Sequence, residues 1–193
     1  MENIGKVELR QLNIDDYEEL HQASLEAYPN WTEDYWEKRD IRKLLKIFPE
    51  GQFAVVVDDI VVGSALSIIV KYELFGDDHT YEEIIGRYSF NTHNPKGNTL
   101  YGIDVFIRPE YRGLRLGRRL YDARKELCEG LNLKAIVFGG RIPNYHKYAT
   151  EMSPKEYIQK VRYQEIHDPI LNFQLSNEFH VKKVLKGYMP GDK

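Results

Sequence analysis

Two adjacent runs of β-branched residues constrain the fold of this chain more than any other feature. The runs QFAVVVDD (52–59) and IVVGSALSIIV (60–70) meet at Asp58-Asp59. Two such runs joined by a short turn-forming pair are typical of a β-hairpin. The centre of the sheet is therefore predicted to be antiparallel. Further strands are predicted where apolar residues alternate or run on, over 6–12, 99–111, 133–142 and 178–189.

Helical patterns separate these strands. The clearest is GRRLYDARKELCEGL (117–131), for which one buried face is predicted from apolar residues at helical spacing. That face comprises Leu116, Leu120, Ala123, Leu127 and Leu131. Two later helices are predicted to begin at Ser153-Pro154 and Asp168-Pro169, because a capping side chain followed by proline marks a helix start.

Two earlier helices complete the order of elements. One is predicted over 13–30, capped by Asn13 or Asp15, and the other over 31–51, capped by Thr32. The order is β-α-α-β-β-insertion-β-α-β-α-α-β, with the insertion at about 71–98 and one short helix at 80–87. We expect a single α/β domain over 1–193, with a mixed, mostly antiparallel sheet flanked by helices.

Composition narrows the class of protein. The 193 residues are 42% hydrophobic and 30% charged, with a formal net charge of −3, as in an ordinary globular chain without a basic field for nucleic acid. One cysteine predicts no internal disulfide, and no apolar run resembles a signal or a membrane span. A cytoplasmic protein is expected. The histidines show no metal-ligand spacing, so no metal is expected.

Positive charge gathers in one place, around EYRGLRLGRR (110–119). A helix that begins after a glycine-containing turn presents unpaired backbone N–H groups, which makes an anion site. The alternative is a solvated basic helix start. The cationic residues of this stretch are Arg108, Arg112, Arg115, Arg118, Arg119, Arg124 and Lys125.

The run IRPEYRGLRLGRRLYD (107–122) resembles motif A of the GNAT acyltransferases, whose signature is [RQ]-x-x-G-x-[GA] at a helix start. The resemblance implies acetyl-CoA or another acyl-CoA as co-substrate. Its pyrophosphate would lie on Arg112, Gly113, Leu114, Arg115, Leu116, Gly117 and Arg118. Its pantetheine arm would pair with Val105, Phe106 and Ile107. The family's middle glycine is Arg115 here, so that side chain must either point away or itself reach the phosphates.

The same resemblance implies the catalytic roles. Asp104 lies near the position of a carboxylate base, although it could instead cap a strand edge. Where the family often carries a tyrosine that protonates the leaving thiolate, this chain has Gln174. Tyr145, His146 and Tyr148 are then the nearest candidates for that proton, with loop packing as the alternative role of each. The reaction implied is transfer of an acyl group, such as acetyl, to a primary amine by direct attack on the thioester.

The stretches FGGRIPNYHKYA (138–149) and DPILNFQLSNEFHVKKVLKGYMPGDK (168–193) resemble a narrower group. It is the GNAT-like N-terminal domain of bacterial carbon–nitrogen hydrolase (nitrilase-type) proteins, in which a hydrolase domain follows. The chain is thus expected to be a stand-alone relative or a domain of a longer protein. Two functions stay open, an N-acyltransferase and a weak or inactive CoA-binding module. The partners considered are a small-molecule or peptide amine, a second copy in a homodimer, and a hydrolase domain or partner.

Overall fold

The computed structural model describes residues 5–29 and 36–189. Its strands are β1 (Val7–Gln11), β2 (Phe53–Val57), β3 (Ile60–Val70), β4 (Thr99–Ile107) and β5 (Ala135–Phe138). Its α-helices are α1 (Tyr17–Ala27), α2 (Lys38–Ile47), α3 (Tyr81–Ile84), α4 (Leu116–Gly130), α5 (Pro154–Arg162) and α6 (Pro169–Ser176). The described residues form two compact units, unit 1 (within 1–76 and 82–138) and unit 2 (within 77–81 and 139–189).

Unit 1 contains a five-stranded sheet with the strand order β1-β2-β3-β4-β5. The first three pairings are antiparallel and the last, β4 with β5, is parallel. The expectation of an α/β fold with a mixed, mostly antiparallel sheet is confirmed. The prediction that residues 1–193 make one domain stays a prediction.

The β2–β3 hairpin turns at Asp58-Asp59, as predicted. Both residues have positive φ, 48° and 67°, and Val57 pairs with Ile60 across the turn. Positive φ at both central residues defines a type I′ turn, whose twist matches that of the strands. The Oδ1 of Asp58 also accepts a hydrogen bond from the Lys6 backbone N–H at 2.9 Å.

The core of unit 1 lies where helix α4 packs on the sheet. All five residues of β2 and ten of the eleven in β3 are buried, so both faces of these strands are covered. The cluster against α4 contains Phe53, Val55, Val57, Val62, Ala65, Leu116, Leu120 and Ala123. Helix α1 packs on β3 and β4 through Leu20, Ala23, Ser24 and Ala27. No helix in the described ranges is long and apolar enough to cross a membrane.

Unit 2 contains α5 and α6, and both helices begin where the sequence predicts. Ser153 and Glu156 form a capping box at the start of α5. The buried Asp168 carboxylate accepts hydrogen bonds from the backbone N–H groups of Ile170 and Leu171 at the start of α6. It also accepts the Tyr157 hydroxyl at 2.8 Å, which joins the two helices.

The predicted closing strand over 178–189 is wrong, because the structure has irregular backbone there. The chain turns at Glu178, where φ is 69°. Val181 and Val184, three residues apart, pack against the α5–α6 cluster, which differs from the period of two in a strand. The adjacent Lys182 and Lys183 both form ion pairs, with Asp77 and Asp78 respectively, so they share a side.

Smaller differences concern helix ends. Leu131, predicted on the buried face of α4, lies beyond the helix and is 43% exposed. The helix predicted over 31–51 is observed from Lys38, with Glu37 as its cap, while the predicted cap Thr32 lies outside the described residues. Asn13 caps a short 3-10 turn before α1, since its Oδ1 accepts the Asp15 N–H at 3.2 Å.

Candidate functional site

Strand β4 extends beyond β5, its parallel partner. The β4–β5 register runs from the Thr99–Ala135 pair to the Gly102–Phe138 pair, whereas β4 continues to Ile107. Five residues of β4 therefore extend beyond the last pair with β5. An edge of this kind can hydrogen-bond an extended ligand as a strand would.

A β-bulge lies where this extension begins. On the other side of β4, Ser67 pairs with Gly102 and Leu66 pairs with Asp104, so Ile103 is an extra residue in β4. A bulge bends its strand and re-aims the residues that follow. The three predicted pantetheine-binding residues Val105, Phe106 and Ile107 all follow it.

The side chains of these three residues lie alternately on the two faces of the sheet. Val105 and Ile107 pack against the cluster beneath α4. Phe106 is buried on the other side, where its ring meets the Tyr28 ring edge-on with centroids 5.8 Å apart. Their side chains are thus held by the fold, and a ligand would meet the β4 backbone.

Asp104 is held by a tyrosine that the sequence analysis missed. The Tyr28 hydroxyl donates to Asp104 Oδ1 at 2.7 Å and also lies 3.2 Å from the Val105 carbonyl oxygen. Tyr28 follows the last residue of α1, 76 residues before Asp104. No local pattern in the sequence connects the two residues.

The turn between β4 and α4 uses positive φ twice. Gly113 has φ 86° and Arg115 has φ 59°, and α4 begins directly afterwards at Leu116. A Cβ on Gly113 would meet no atom within 4 Å, so backbone conformation is the reason that glycine suits this position. Leu114 is half-buried against the core, Leu116 is buried, and Gly117 is the second residue of α4.

The arginines of this stretch divide into two groups. Arg112, Arg115, Arg118 and Arg119 are exposed around the start of α4. No acidic residue lies in the first turn of this helix. Arg118 approaches Asp122 at 3.9 Å in a solvent-exposed pair. We call the turn 112–115 together with the first helical residues 116–119 the α4 cradle.

Arg112 anchors the α4 cradle to α1. Its guanidinium donates to the carbonyl oxygens of Ile107 and Ala27, each at 3.3 Å. Ala27 ends α1, where carbonyl groups carry the negative end of the helix dipole. A cation there is favourable, and it connects the end of β4 to the end of α1, directly before Tyr28.

Two arginines predicted on the cationic surface are withdrawn from it, Arg124 by full burial and Arg108 by partial burial. The Arg124 side chain is 1% exposed, and Arg108 lies beside Glu26 with 3.4 Å between Nε and Oε2. Burial lowers the pKa of Arg124, while the neighbouring Tyr121, Asp104 and Tyr28 raise it. The signal for Arg124 was present in the sequence, because it falls in line with Leu116, Leu120 and Cys128 on one side of α4.

Tyr145 and His146 lie in unit 2, within the short 3-10 segment Pro143–Lys147. The Tyr145 hydroxyl donates to the Met152 carbonyl oxygen at 3.0 Å, and its ring packs edge-on against Tyr157. His146 is exposed, with Nδ1 2.6 Å from the Pro143 carbonyl oxygen. The carboxamide of Gln174 lies against Gly140. The catalytic roles of Tyr145 and His146 stay predictions.

Unit 1 thus contains a strand that extends beyond its parallel partner, followed by a turn with a glycine and by a basic helix start. The family model described as "Acetyltransferase (GNAT) family" matches residues 8–150. The chain belongs to this family. Within the described ranges, no group of three or more His, Cys, Asp or Glu side chains could hold a metal ion.

Individual relatives narrow the comparison. The chain is 38% identical over 187 residues to "Probable hydrolase YhcX" of Bacillus subtilis (strain 168), covering 97% of this chain and 36% of YhcX. It is 32% identical over 183 residues to "Uncharacterized N-acetyltransferase YkwB" of the same organism, covering 94% of this chain and 81% of YkwB. The chain thus spans about a third of the length of YhcX, and its match there fits the resemblance to hydrolase fusions.

Two solved structures share the fold over nearly the whole chain. The loading GNATL domain of CurA from Lyngbya majuscula has a TM-score of 0.83 at 25% identity, covering 97% of this chain and 92% of that one. The GphF GNAT-like decarboxylase, in complex with isobutyryl-CoA, has a TM-score of 0.75 at 18% identity, covering 95% of this chain and 91% of that one.

Proposed function

We propose that this protein is an acyl-CoA-dependent N-acyltransferase that transfers an acyl group, such as acetyl, to a primary amine. The single observation that carries the proposal is the extension of β4 beyond Gly102, which leads directly into the α4 cradle. Together they offer a backbone edge for a pantetheine arm and a cationic helix start for its phosphates.

The phosphates are proposed to bind at the α4 cradle. The N–H groups at the start of a helix point outward, and the helix dipole adds partial positive charge. Arg115 and Arg118 are exposed there and can donate charge-assisted hydrogen bonds to a pyrophosphate. Without an anion, the exposed arginines at this helix start repel one another and the dipole.

The acyl transfer is proposed to occur along residues 103–107. The amine nitrogen attacks the thioester carbon, and a backbone N–H of β4 stabilises the oxygen that becomes negative. As the C–S bond breaks, the amine gives its proton to Asp104, directly or through water. The departing thiolate takes a proton from water or from a general acid of the protein. The hydrogen bond from Tyr28 keeps the Asp104 carboxylate in one orientation.

The acceptor class follows from the same chemistry. Attack requires a neutral primary amine, on a small molecule or at the end of a peptide, and a carboxylate can hold such an amine as it loses its proton. The adjacent carboxylates Asp77 and Asp78 form ion pairs with Lys182 and Lys183 in unit 2, so the proposal does not use them to attract a cationic acceptor.

A second candidate function is a CoA-binding module of weak or absent activity that works with a carbon–nitrogen hydrolase. Two observations favour it. Gln174 stands where the resemblance expects a proton-donating tyrosine, and the Tyr145 hydroxyl already donates to a backbone carbonyl. The likeness to YhcX, of which this chain spans about a third, fits a partnership with a hydrolase.

Two measurements separate the candidates. Calorimetric titration with acetyl-CoA and with CoA measures binding, and release of free thiol over a panel of primary amines measures turnover. The enzyme proposal predicts both. Binding without thiol release on any amine supports the module, and no binding of either CoA species contradicts both candidates.

The role of Asp104 has its own test. Asp104→Asn keeps an oxygen that can accept the Tyr28 hydroxyl but removes the base, so we expect kcat to fall by about 10²–10⁴-fold with little change in acetyl-CoA affinity. Glu126→Gln, an exposed carboxylate of α4, is the matched control and is expected to behave as the wild type. Equal activity of the two variants would remove Asp104 from the mechanism.

A further inference from the structure

The buried Arg124 is the most unusual charged group in unit 1. It lies among the apolar residues that α4 presents to the sheet, with Leu120 one turn before it and Cys128 one turn after. A guanidinium stays protonated in proteins, and an isolated buried charge is strongly unfavourable. Its surroundings must therefore supply hydrogen-bond acceptors.

Those acceptors lie on both strands at the bulge. Arg124 Nη2 donates to the carbonyl oxygens of Leu66 on β3 at 2.6 Å and of Asp104 on β4 at 2.5 Å. Its Nε donates to the Ser67 hydroxyl at 3.1 Å. Leu66 and Asp104 are register partners directly after the extra residue Ile103. One rigid planar group thus spans the position where the ladder is disrupted.

The backbone makes room for this group at the same place. A Cβ on Gly102 would lie 3.1 Å from Arg124 Nη1 and 3.3 Å from its Cζ, closer than most side-chain contacts allow. Gly102 is also the last residue of β4 that pairs with β5. The glycine, the bulge and the arginine therefore meet where β4 parts from its parallel neighbour.

We propose that Arg124 is a positioning residue that fixes the bulge at Ile103 and thereby aims the free extension of β4. Through this contact it sets the backbone of residues 103–107 and the starting point of the Asp104 side chain. It also connects that extension to α4, whose first turn is part of the α4 cradle. The catalytic consequence rests on the proposed acyltransferase function, whereas the effect on the backbone does not.

The proposal predicts different effects of Arg124 on phosphate binding and on the rate of the reaction at the thioester. Arg124 lies five residues beyond Arg119, the last residue of the α4 cradle, which is about one and a half turns of helix, so its loss should leave phosphate binding intact. The thioester would lie along β4, and a misplacement of about 1 Å can reduce a rate by about 100-fold. Arg124 should consequently affect kcat far more than the affinity for CoA.

The test compares Arg124→Met and Arg124→Lys with Cys128→Ala, a buried truncation one turn away on α4 that touches neither strand carbonyl. The first readout is backbone hydrogen exchange of residues 103–107, which requires no ligand. The second is the split between kcat and the dissociation constant of CoA. Lysine keeps the charge but lacks the planar fork, so both Arg124 variants are expected to behave alike.

We expect exchange in 103–107 to rise about tenfold in both Arg124 variants relative to Cys128→Ala. We expect kcat to fall about 100-fold while the CoA affinity stays within error. If exchange rises equally in Cys128→Ala, or if Arg124→Lys matches the wild type, the positioning role is wrong. If Arg124→Met fails to fold, Ser67→Ala removes one acceptor and should raise exchange in 103–107 to a smaller extent; unchanged exchange there contradicts the proposal.

Failure of the proposed acyltransferase function would give a different result from failure of the positioning role of Arg124. A wild-type protein that binds no acyl-CoA and turns over no amine overturns the acyltransferase, while the exchange comparison still decides whether Arg124 positions β4.

Discussion

Arg115 holds a backbone conformation that usually belongs to glycine, with φ at 59° directly before α4. A residue with a Cβ in this region is strained by about 1–2 kcal/mol. The resemblance to GNAT motif A expects a glycine here, and the positive φ supplies the physical reason for that glycine. An arginine at this position keeps the turn and adds a cation, at some expense in stability.

Two substitutions separate the backbone role of Arg115 from its charge. Arg115→Gly relieves the strain, so the free energy of unfolding should rise by about 1 kcal/mol, whereas Arg115→Ala should leave it near the wild-type value. Chemical denaturation measures both. If the side chain binds the pyrophosphate, both variants lose about 1–3 kcal/mol of CoA binding in calorimetry. Unchanged CoA affinity in both would mean that the Arg115 side chain is only solvated.

The single cysteine decides how thiol release can be measured. Cys128 is 7% exposed, and burial raises the pKa of its thiol, so little reactive thiolate forms near neutral pH. We expect the folded protein to react with a disulfide reagent such as DTNB far more slowly than after unfolding in urea, when one thiol per chain appears. Rapid reaction of the native protein would contradict the buried position. Cys128→Ala supplies the blank.

At the scale of elements, the connection from β1 to α1 depends on one carboxylate. Asp16 accepts two hydrogen bonds from the Arg10 guanidinium, at 2.7 and 2.8 Å, and one from the Asn13 backbone N–H at 2.7 Å. Burial alone would raise the pKa of Asp16, but these hydrogen bonds outweigh it and the pKa lies below its usual value. The folded state thus favours the charged carboxylate.

This lowered pKa predicts how stability depends on pH. The contribution of Asp16 is fully present above the unfolded carboxyl pKa of about 3.9 and is lost as the pH falls through the lower folded value. Asp16→Asn should therefore reduce the free energy of unfolding by about 1–2 kcal/mol at neutral pH, and this difference should shrink in acid. Urea denaturation at several pH values checks it. The exposed neighbour variant Asp15→Asn should show no such pH-dependent difference.

Elements with local signals could be predicted from the sequence, and those that depend on distant partners could not. Asp58-Asp59 turns the hairpin, and Ser153 and Asp168 cap their helices, because each signal acts within a few residues. The predicted closing strand failed for the opposite reason. Alternation between 179 and 185 describes a strand only if a neighbouring strand is available to pair with it.

The candidate site likewise has parts that could be predicted from the sequence and parts that could not. Motif A marks the α4 cradle, since a turn and a helix start are contiguous in the chain. The bulge at Ile103, the Tyr28–Asp104 hydrogen bond and the buried Arg124 all arise from pairings across 20 or more residues. In the sequence, the one sign that Arg124 is buried is its position among apolar residues at helical spacing. Its partners become evident only in the folded sheet.

At the scale of the whole molecule, charge is local in its effect. The formal net charge is −3, so the overall field does not attract a polyanion such as CoA. Exposed arginines of the α4 cradle must provide the attraction, and the interaction of exposed charges is screened by salt. We expect the dissociation constant of CoA to increase about tenfold between about 0.05 and 0.5 M NaCl, measured by calorimetry.

The matched ligand for this prediction is an acyl thioester of pantetheine, which keeps the arm that would pair with β4 but lacks the pyrophosphate. Its affinity should hardly change over the same range of salt. Equal salt dependence for the two ligands would show that the phosphates are not recognised by the cradle.

The extra residue at Ile103 also divides β4 into two halves that can vary separately. An extra residue in a strand reverses which sequence positions point to each face for every residue that follows. The even-numbered residues of 99–102 and those of 104–107 therefore face opposite sides of the sheet. Deleting Ile103 would make Gly102 and Asp104 consecutive residues of a regular strand, with their present partners Ser67 and Leu66, so both halves would keep their faces while the bend was lost. The shape of residues 103–107 can therefore be changed at one position, while the pairing of 99–102 with β5 and the inward and outward sides of both halves are kept.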